Sequence, residues 1–172
     1  LKNPNIRGKI DALDSAATVD SGCILENIQD HVKQKKMIFP ISMGSRGSCQ
    51  IGGNIATNAG GLNVIKYGLL RHNILGLEAV MSDGRIYSDL KKIRKNNTGY
   101  DLKQLLIGSE GTLGIITAAN IKTFPESKEE NVIFASFSSF SDLLDFYYNT
   151  VRYFSDLLTS FEMINTDSME LV

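Results

Sequence analysis

The spacing of apolar residues changes along the first part of the chain, and each spacing predicts a different element. Residues 16–22 pass from small and β-branched residues to Asp, Ser and Gly, which predicts a strand that ends in a turn. Apolar residues then recur three or four positions apart, so they share one face of a helix expected over residues 24–32. A lysine cluster follows at the end where a helix dipole favours cations, and we interpret it as a C-terminal helix feature: Lys33, Lys35 and Lys36.

Extended segments are predicted for the middle of the chain. Residues 37–41 form a short apolar run, which Pro40 restricts to extended backbone. This run leads directly into a glycine-rich stretch. Further on, the apolar run 74–81, the turn residues 82–85 and the segment 86–88 together predict a β-hairpin.

The clearest boundary of the chain lies near residue 126. Pro125 and the polar residues 126–131 interrupt the apolar pattern. After them, residues 132–137 are typical of a strand, and residues 140–153 have the spacing of an amphipathic helix. We therefore expect a new structural unit to begin near Val132.

Composition excludes several classes of partner. The 172 residues include 18 basic and 19 acidic side chains, so there is no long-range field to attract nucleic acid or anionic lipid. No window approaches the roughly 20 continuous apolar residues of a membrane span. The two cysteines, Cys23 and Cys49, are not spaced with a histidine as metal ligands would be, so we predict no metal site. We interpret them as free thiols of a cytoplasmic protein.

Residues 44–61 form the first glycine-rich element. Glycines let the backbone approach a ligand closely and accept positive φ, so that successive N–H groups can converge on a phosphate or a ring edge. Apolar residues that prefer burial alternate with the glycines, which favours a ligand cradle over a flexible loop. The element contains neither G-x-G-x-x-G after a strand nor G-x-x-x-x-G-K-[ST]. Rossmann and P-loop folds are therefore disfavoured.

Residues 108–117 form a second glycine-rich element, between strands expected over 105–107 and 115–124. Its small residues stand just before a segment of high β propensity. The carboxylate of Glu110 could accept a hydrogen bond from a ribose hydroxyl or cap a nearby turn, and the sequence leaves both alternatives open.

Five motifs, in this order, resemble the FAD-linked oxidases of the vanillyl-alcohol oxidase type, and among them the D-2-hydroxyglutarate and D-lactate dehydrogenases. The matching segments extend over most of the chain: Gly52–Gly61, Lys66–Gly68, Leu75–Glu78, Arg94–Leu105 and Gly108–Thr117. The resemblance implies an α+β fold, namely a two-lobed FAD-binding domain of the PCMH type, incomplete at its N-terminus, followed by the start of a ferredoxin-like substrate domain. The implied divisions are 1–50 and 51–125 for the two lobes, and 126–172 for the beginning of the substrate (cap) domain.

The resemblance also implies which residues hold the cofactor. In the family, the loop matching residues 44–58 contacts the flavin and its diphosphate, and the element matching 110–116 lies along the adenosine side through backbone groups. FAD is therefore the expected cofactor. Its expected contacts are Gly44, Ser45, Ser48, Gly52, Gly53, Asn54, Ala56, Thr57, Asn58, Glu110, Gly111, Gly114, Ile115 and Ile116.

No catalytic residue is nominated. By resemblance, the family's first diphosphate loop would precede residue 1, and its substrate-carboxylate arginine and metal-binding histidines would follow residue 172. His31 and His72 are expected to be solvated rather than catalytic. Asp101 precedes a possible helix over 102–106 and is expected to cap it rather than to act as an acid or base.

The function that the resemblance implies is that of the FAD-binding portion of a dehydrogenase. Such an enzyme oxidises a small D-2-hydroxy acid to the 2-oxo acid by hydride transfer to flavin, and passes electrons to a flavoprotein, quinone or cytochrome. The alternative is a non-catalytic fragment of a split or degraded gene, inactive alone or dependent on complementary polypeptides.

Overall fold

The structure is a computed structural model that describes residues 5–11 and 15–171. Its strands are β1 (Ile6–Asp11), β2 (Ala16–Asp20), β3 (Met37–Ile38), β4 (Ile74–Met81), β5 (Ile86–Asp89), β6 (Gly114–Lys122) and β7 (Phe124–Pro125). Its helices are α1 (Leu25–Lys33), α2 (Ile51–Ala56), α3 (Val64–Tyr67), α4 (Lys103–Leu106), α5 (Phe140–Phe154) and α6 (Thr166–Met169). A 3-10 helix, Leu70–Asn73, leads into β4.

Five strands form one antiparallel sheet in the order β1-β2-β6-β4-β5, and β3 pairs with β7 in a separate two-stranded sheet. The central strand is β6, in which Ala119 is opposite Val19 of β2 and Leu77 of β4. Successive residues of a strand point to opposite faces. Ala119 and Asn120 are both buried, so the middle of β6 is covered on both faces.

The hydrophobic core joins the sheet to α1 and α2, which lie between β2 and β4 in the chain. Leu25, Ile28 and Val32 form the buried face of α1, as the three- and four-residue spacing predicted. Ile51 and Ile55 of α2 are also fully buried. Burial of each such side chain contributes roughly 1.5–3 kcal/mol to the free energy of unfolding. The predicted strand after residue 16, the helix α1 and the hairpin β4-β5 are confirmed, as is the α+β class.

The prediction of a strand over 105–107 is wrong, because Leu106 ends the short helix α4. A three-residue apolar run is ambiguous between a strand and a helix, and here burial of Leu106 and Ile107 decides it. Asp101 does not cap this helix, since the N-cap residue is Leu102 and makes no side-chain cap. The Asp101 carboxylate instead accepts from Lys103 Nζ at 2.6 and 2.7 Å.

The predicted strand over 132–137 is also absent from the structure. This segment has no strand partner, and Val132 is 97% and Phe134 82% exposed. The helix predicted after it is confirmed as α5, where Ser139 Oγ accepts from the N–H of Asp142 at 3.1 Å. Because a strand needs a neighbour for its backbone groups, high β propensity alone does not produce one.

The sheet combines strands from both sides of residue 50, since β2 pairs with β6 along its whole length. The division of the chain into 1–50, 51–125 and 126–172 stays a proposal. Among the described residues, no helix is both long enough and apolar enough to cross a membrane.

Candidate cofactor-binding site

The first glycine-rich element begins as a turn on the protein surface. The N–H groups of Ser48 and Cys49 both donate to the carbonyl of Ser45, at 2.9 and 2.8 Å. The carbonyl of Arg46 accepts from the N–H of Glu26 at 3.0 Å, which ties the turn to the first residues of α1. Gly44, Ser45 and Ser48 are exposed, and a Cβ atom at Gly44 would meet nothing within 4 Å. The turn is therefore fixed to the core but open on its outer side.

Two adjacent glycines in α2 differ in their surroundings. A Cβ on Gly52 would lie 2.5 Å from Cβ of Ser21, so this glycine is needed for close packing within the protein. A Cβ on Gly53 would meet nothing within 4 Å, and Gly53 is exposed. The chain's own packing explains Gly52 and leaves Gly53 free for close approach by a ligand.

The polar side chains at the end of the first element are held partly by the protein itself. Asn54 is buried, and its Nδ2 lies 3.3 Å from Cys49 Sγ. Thr57 is exposed, although its hydroxyl donates to the carbonyl of Gly53 at 3.1 Å. Asn58 has a positive φ of 49°, and Ala56 beside this turn is half-buried. The open surface of this part of the element therefore consists mainly of backbone and the Thr57 side chain.

The second glycine-rich element is a tight turn with three residues in the left-handed region. These are Gly108, Glu110 and Gly111, with φ of 84°, 51° and 80°. The N–H of Gly108 donates to the carbonyl of Ile55 at 3.1 Å, and that of Glu110 to the carbonyl of Ala56 at 2.9 Å. The two glycine-rich elements, far apart in the sequence, are thus joined by backbone hydrogen bonds. Glu110 and Gly111 remain exposed.

The start of β6 continues this surface. A Cβ on Gly114 would lie 2.9 Å from the carbonyl oxygen of Val80, so this glycine permits close pairing of β6 with β4. Ile115 is 64% exposed, whereas Ile116 points into the core. Of these three predicted contact residues, Ile115 alone presents its side chain outward, and the other two offer backbone or shape.

Two residues outside the predicted set complete the geometry. The carbonyl of Ser21 accepts from the N–H of Gly52 at 2.8 Å, and the N–H of Ser21 donates to the carbonyl of Thr117 at 2.9 Å. These two bonds link α2 to β6. Arg71 donates from its backbone to Asn58 Oδ1 at 3.0 Å and from its guanidinium to the carbonyl of Ile107 at 3.1 Å. No local sequence pattern marks either residue, because both act through contacts distant in the chain.

The titratable groups around these elements do not form a reaction centre of their own. Burial raises the pKa of the Cys23 thiol, a backbone hydrogen bond from Asp20 acts in the opposite direction, and the charge of Asp20 adds to the increase. His72 is exposed, and its Nδ1 accepts from the N–H of Leu69 at 3.1 Å. Within residues 5–11 and 15–171, no group of three His, Cys, Asp or Glu side chains has the arrangement of a metal site.

A polar cavity of about 260 Å³ opens next to Arg71. Its wall includes many residues of the segment Arg94–Leu105, one of the five motifs that resemble the FAD-linked oxidases. Arg94, Lys103 and Gln104 are among these residues. The ion pair between Lys103 and Asp101 neutralises one of its charges. Burial raises the pKa of Asp101, but hydrogen bonds from Lys103 and Gln104, with the charge of Lys103, outweigh it and lower that pKa overall.

The chain has an α+β fold in which backbone hydrogen bonds join the two glycine-rich elements into one open surface. A family model described as an FAD binding domain matches residues 4–89. The chain is 44% identical over 162 residues to the mitochondrial D-2-hydroxyglutarate dehydrogenase of Danio rerio, covering 94% of this chain and 30% of that protein. The chain belongs to this family of FAD-binding domains.

A further relative agrees with this membership, and a solved structure shares the fold. A putative mitochondrial D-lactate dehydrogenase of Schizosaccharomyces pombe is 42% identical over 162 residues, covering 94% of this chain and 31% of that protein. A solved structure of alkyldihydroxyacetonephosphate synthase shares the fold, with a TM-score of 0.62 at 24% identity, over 71% of this chain and 21% of that one. The chain spans about 30% of the length of the curated relatives it matches.

The comparisons decide several expectations from the sequence. The resemblance to FAD-linked dehydrogenases, the fold class and FAD as the cofactor are confirmed. The expectation of a cytoplasmic protein is wrong, because the related dehydrogenases carry mitochondrial names. The number of cysteines and the net charge carry no information about organelle targeting, which explains why the expected localisation was wrong.

The residues present fit a flavin nucleotide. Gly44 and Gly53 leave empty space where a Cβ would stand, so a flat ring can approach the backbone there. Glu110 and Gly111 form an exposed turn with positive φ, so a ligand can also reach the backbone there. That the fourteen predicted residues contact the cofactor stays a prediction.

Proposed function

We propose that this chain is the flavin-holding portion of a dehydrogenase that oxidises a D-2-hydroxy acid to the 2-oxo acid. The observation that carries the proposal is the backbone junction between Ala56 and Glu110, which unites both glycine-rich elements on one surface. The names of the related dehydrogenases support the substrate class. FAD, when bound, supplies the redox chemistry by accepting the hydride.

The chain's own part in this reaction is to bind and orient the cofactor. We assign the outer surface of the site to the exposed residues of the predicted set, whose backbone and side-chain groups can reach a ligand: Gly44, Ser45, Ser48, Gly53, Thr57, Glu110, Gly111 and Ile115. The more buried members set the shape beneath them: Gly52, Asn54, Ala56, Asn58, Gly114 and Ile116. Uncharged donors and backbone N–H groups suit a diphosphate and a ring edge.

The substrate side of the reaction needs groups from elsewhere. Removal of a hydride from a hydroxy acid requires a base or metal at the hydroxyl and a cation at the carboxylate, held in productive geometry. We assign no such set of substrate-binding groups to this chain. We propose that the electron acceptor is a flavoprotein, a quinone or a cytochrome.

A second proposal is that activity depends on complementary polypeptide. Its supporting observation is the apolar surface after Pro125, where Val132 and Phe134 are exposed and α5 buries none of its residues. Soluble proteins rarely leave such large apolar patches uncovered. In this proposal the chain binds FAD but oxidises a substrate only with a polypeptide that covers this surface.

The test begins with the purified chain and FAD. We expect a bound-flavin absorption spectrum and quenched flavin fluorescence. Gly53→Val should weaken FAD binding without destabilising the apo chain. A side chain at this position of α2 extends into open space, which is where we place the ligand. Ser141→Val, at an exposed position of α5, is the matched control and should bind FAD normally.

Added D-2-hydroxyglutarate or D-lactate then separates the two proposals. Bleaching of the flavin band by the chain alone would support the dehydrogenase and contradict the need for complementary polypeptide. Bound flavin that bleaches only after a complementary polypeptide is supplied supports both. Failure of the wild-type chain to bind FAD would contradict autonomous cofactor binding.

A further inference from the structure

Arg71 lies where the two glycine-rich elements meet. It belongs to the 3-10 helix Leu70–Asn73, and its side chain is half-buried. Its backbone N–H donates to Oδ1 of Asn58 at 3.0 Å, at the end of α2. Its Nη2 donates to the carbonyl of Ile107 at 3.1 Å, one residue before the second turn, and Nη1 to Oε1 of Gln104 at 3.2 Å. One residue is therefore bonded to the first element and to the residues that lead into the second.

Arg71 lies beside two residues of positive φ, one of them not a glycine. Asn58 and Gly108 both lie in the left-handed region, with φ of 49° and 84°. A Cβ on Gly108 would lie 3.4 Å from Nη2 of Arg71 and 3.4 Å from Cβ of Asn58, so the three residues meet at one point. A conformation that residues seldom adopt alone persists where its surroundings fix it. The bond from the Arg71 backbone contributes to this constraint at Asn58, whereas Gly108 adopts its positive φ without strain.

We propose that Arg71 is a positioning residue that holds the two cofactor-facing elements in register; the link to FAD rests on the proposed function. Its guanidinium bonds two acceptors, the Ile107 carbonyl and the Gln104 amide oxygen, at a fixed spacing. The planar fork of arginine suits such paired acceptors, whereas a lysine ammonium offers a single point charge. Hydrogen bonds from a charged donor are also stronger than neutral ones. Arg71 contacts neither the substrate nor the reacting atoms in this account.

The first test is independent of FAD. Hydrogen exchange of the apo chain is compared for wild type, Arg71→Met and Arg71→Lys, with the exposed Arg85→Met as control. In Arg71→Met the amides of Gly108 and Glu110 should exchange about tenfold faster, because loss of a charged hydrogen bond has roughly this effect on a local equilibrium. Amides of β4 and β6 should be unchanged, and Arg71→Lys should be intermediate.

The second test measures FAD affinity by flavin fluorescence. The Kd for FAD should rise about tenfold in Arg71→Met, less in Arg71→Lys, and not at all in Arg85→Met. Partial recovery of slow exchange and of FAD affinity in Arg71→Lys separates a positioning role from a general loss of folding. Should Arg71→Met fail to fold, both measurements are made on Arg71→Lys instead. Unchanged exchange at Gly108 and Glu110 would overturn the proposal, as would faster exchange with unchanged Kd. If the wild-type chain binds no FAD, the proposed function fails, and the exchange result alone decides whether Arg71 holds the elements together.

Discussion

The N–H of Glu110 donates to the carbonyl of Ala56 at 2.9 Å, although Glu110 has a φ of 51° that L-residues other than Asn and Asp seldom adopt. This bond places the second glycine-rich turn against the end of α2. It makes two distant sequence motifs into one surface.

Replacement of Glu110 distinguishes backbone strain from ligand contact. Glu110→Gly should raise the free energy of unfolding by about 1 kcal/mol relative to Glu110→Ala, because glycine adopts positive φ without the Cβ penalty. Urea denaturation of the apo chain measures this difference. Equal stability of the two variants would show that the turn imposes no such strain.

The same pair of variants decides what the Glu110 carboxylate does. If it accepts from a ribose hydroxyl, both variants should bind FAD about tenfold more weakly, since a charged hydrogen bond is lost. FAD affinity equal to that of wild type in both would favour the other alternative, a role within the turn. Fluorescence titration provides the measurement.

The neighbouring glycines of α2 provide a matched comparison. Gly52→Ala should destabilise the chain by about 1–3 kcal/mol, because the new Cβ would lie 2.5 Å from Cβ of Ser21 and 3.0 Å from its carbonyl oxygen. Gly53→Ala should be neutral or should stabilise by up to about 1 kcal/mol, since it gains helix propensity in open space. Equal effects of the two substitutions on urea unfolding would contradict the packing described for Gly52.

The two cysteines should differ in reactivity and in their effect on alkaline stability. Cys23 is buried and its thiol pKa is raised by that burial, so iodoacetamide should modify the half-buried Cys49 first. A raised folded-state pKa means that the stability due to Cys23 is present below the ordinary value of 9.0 and is lost as pH rises above it.

Unfolding measured between pH 8 and 10.5 tests this pH dependence. Cys23→Ala should show a shallower loss of stability with pH than wild type, although its stability at pH 8 is lower. Ser141→Val, at an exposed position of α5 that does not titrate, is the control and should retain the wild-type slope. A wild-type slope in Cys23→Ala would mean that another group causes the alkaline loss.

Local periodicity predicted the elements whose burial follows directly from it. The spacing of Leu25, Ile28 and Val32 matches the buried face of α1, and the turn signal at Asp83 and Gly84 matches the hairpin. Short apolar runs were less informative, because 105–107 forms the end of a helix and 132–137 has no strand partner. A three-residue run has no period, and a strand depends on a neighbour that its own sequence does not specify.

Glycine content and family resemblance were enough to nominate the residues of the candidate site, whose contact with a cofactor stays a prediction, but they did not indicate how those residues are connected. The bond from Glu110 to Ala56 and the contacts of Arg71 with Asn58 and Ile107 join residues distant in the chain. The sequence also did not separate the packing glycine, Gly52, from the open one, Gly53. That difference arises from the position of Ser21, which only the fold determines.

Hydrogen exchange of the wild-type chain with and without saturating FAD shows whether both glycine-rich elements form a single FAD-binding surface. FAD should slow exchange together in residues 44–58 and 110–116, with little change in α5. Absence of FAD binding, or protection of one element without the other, would contradict it.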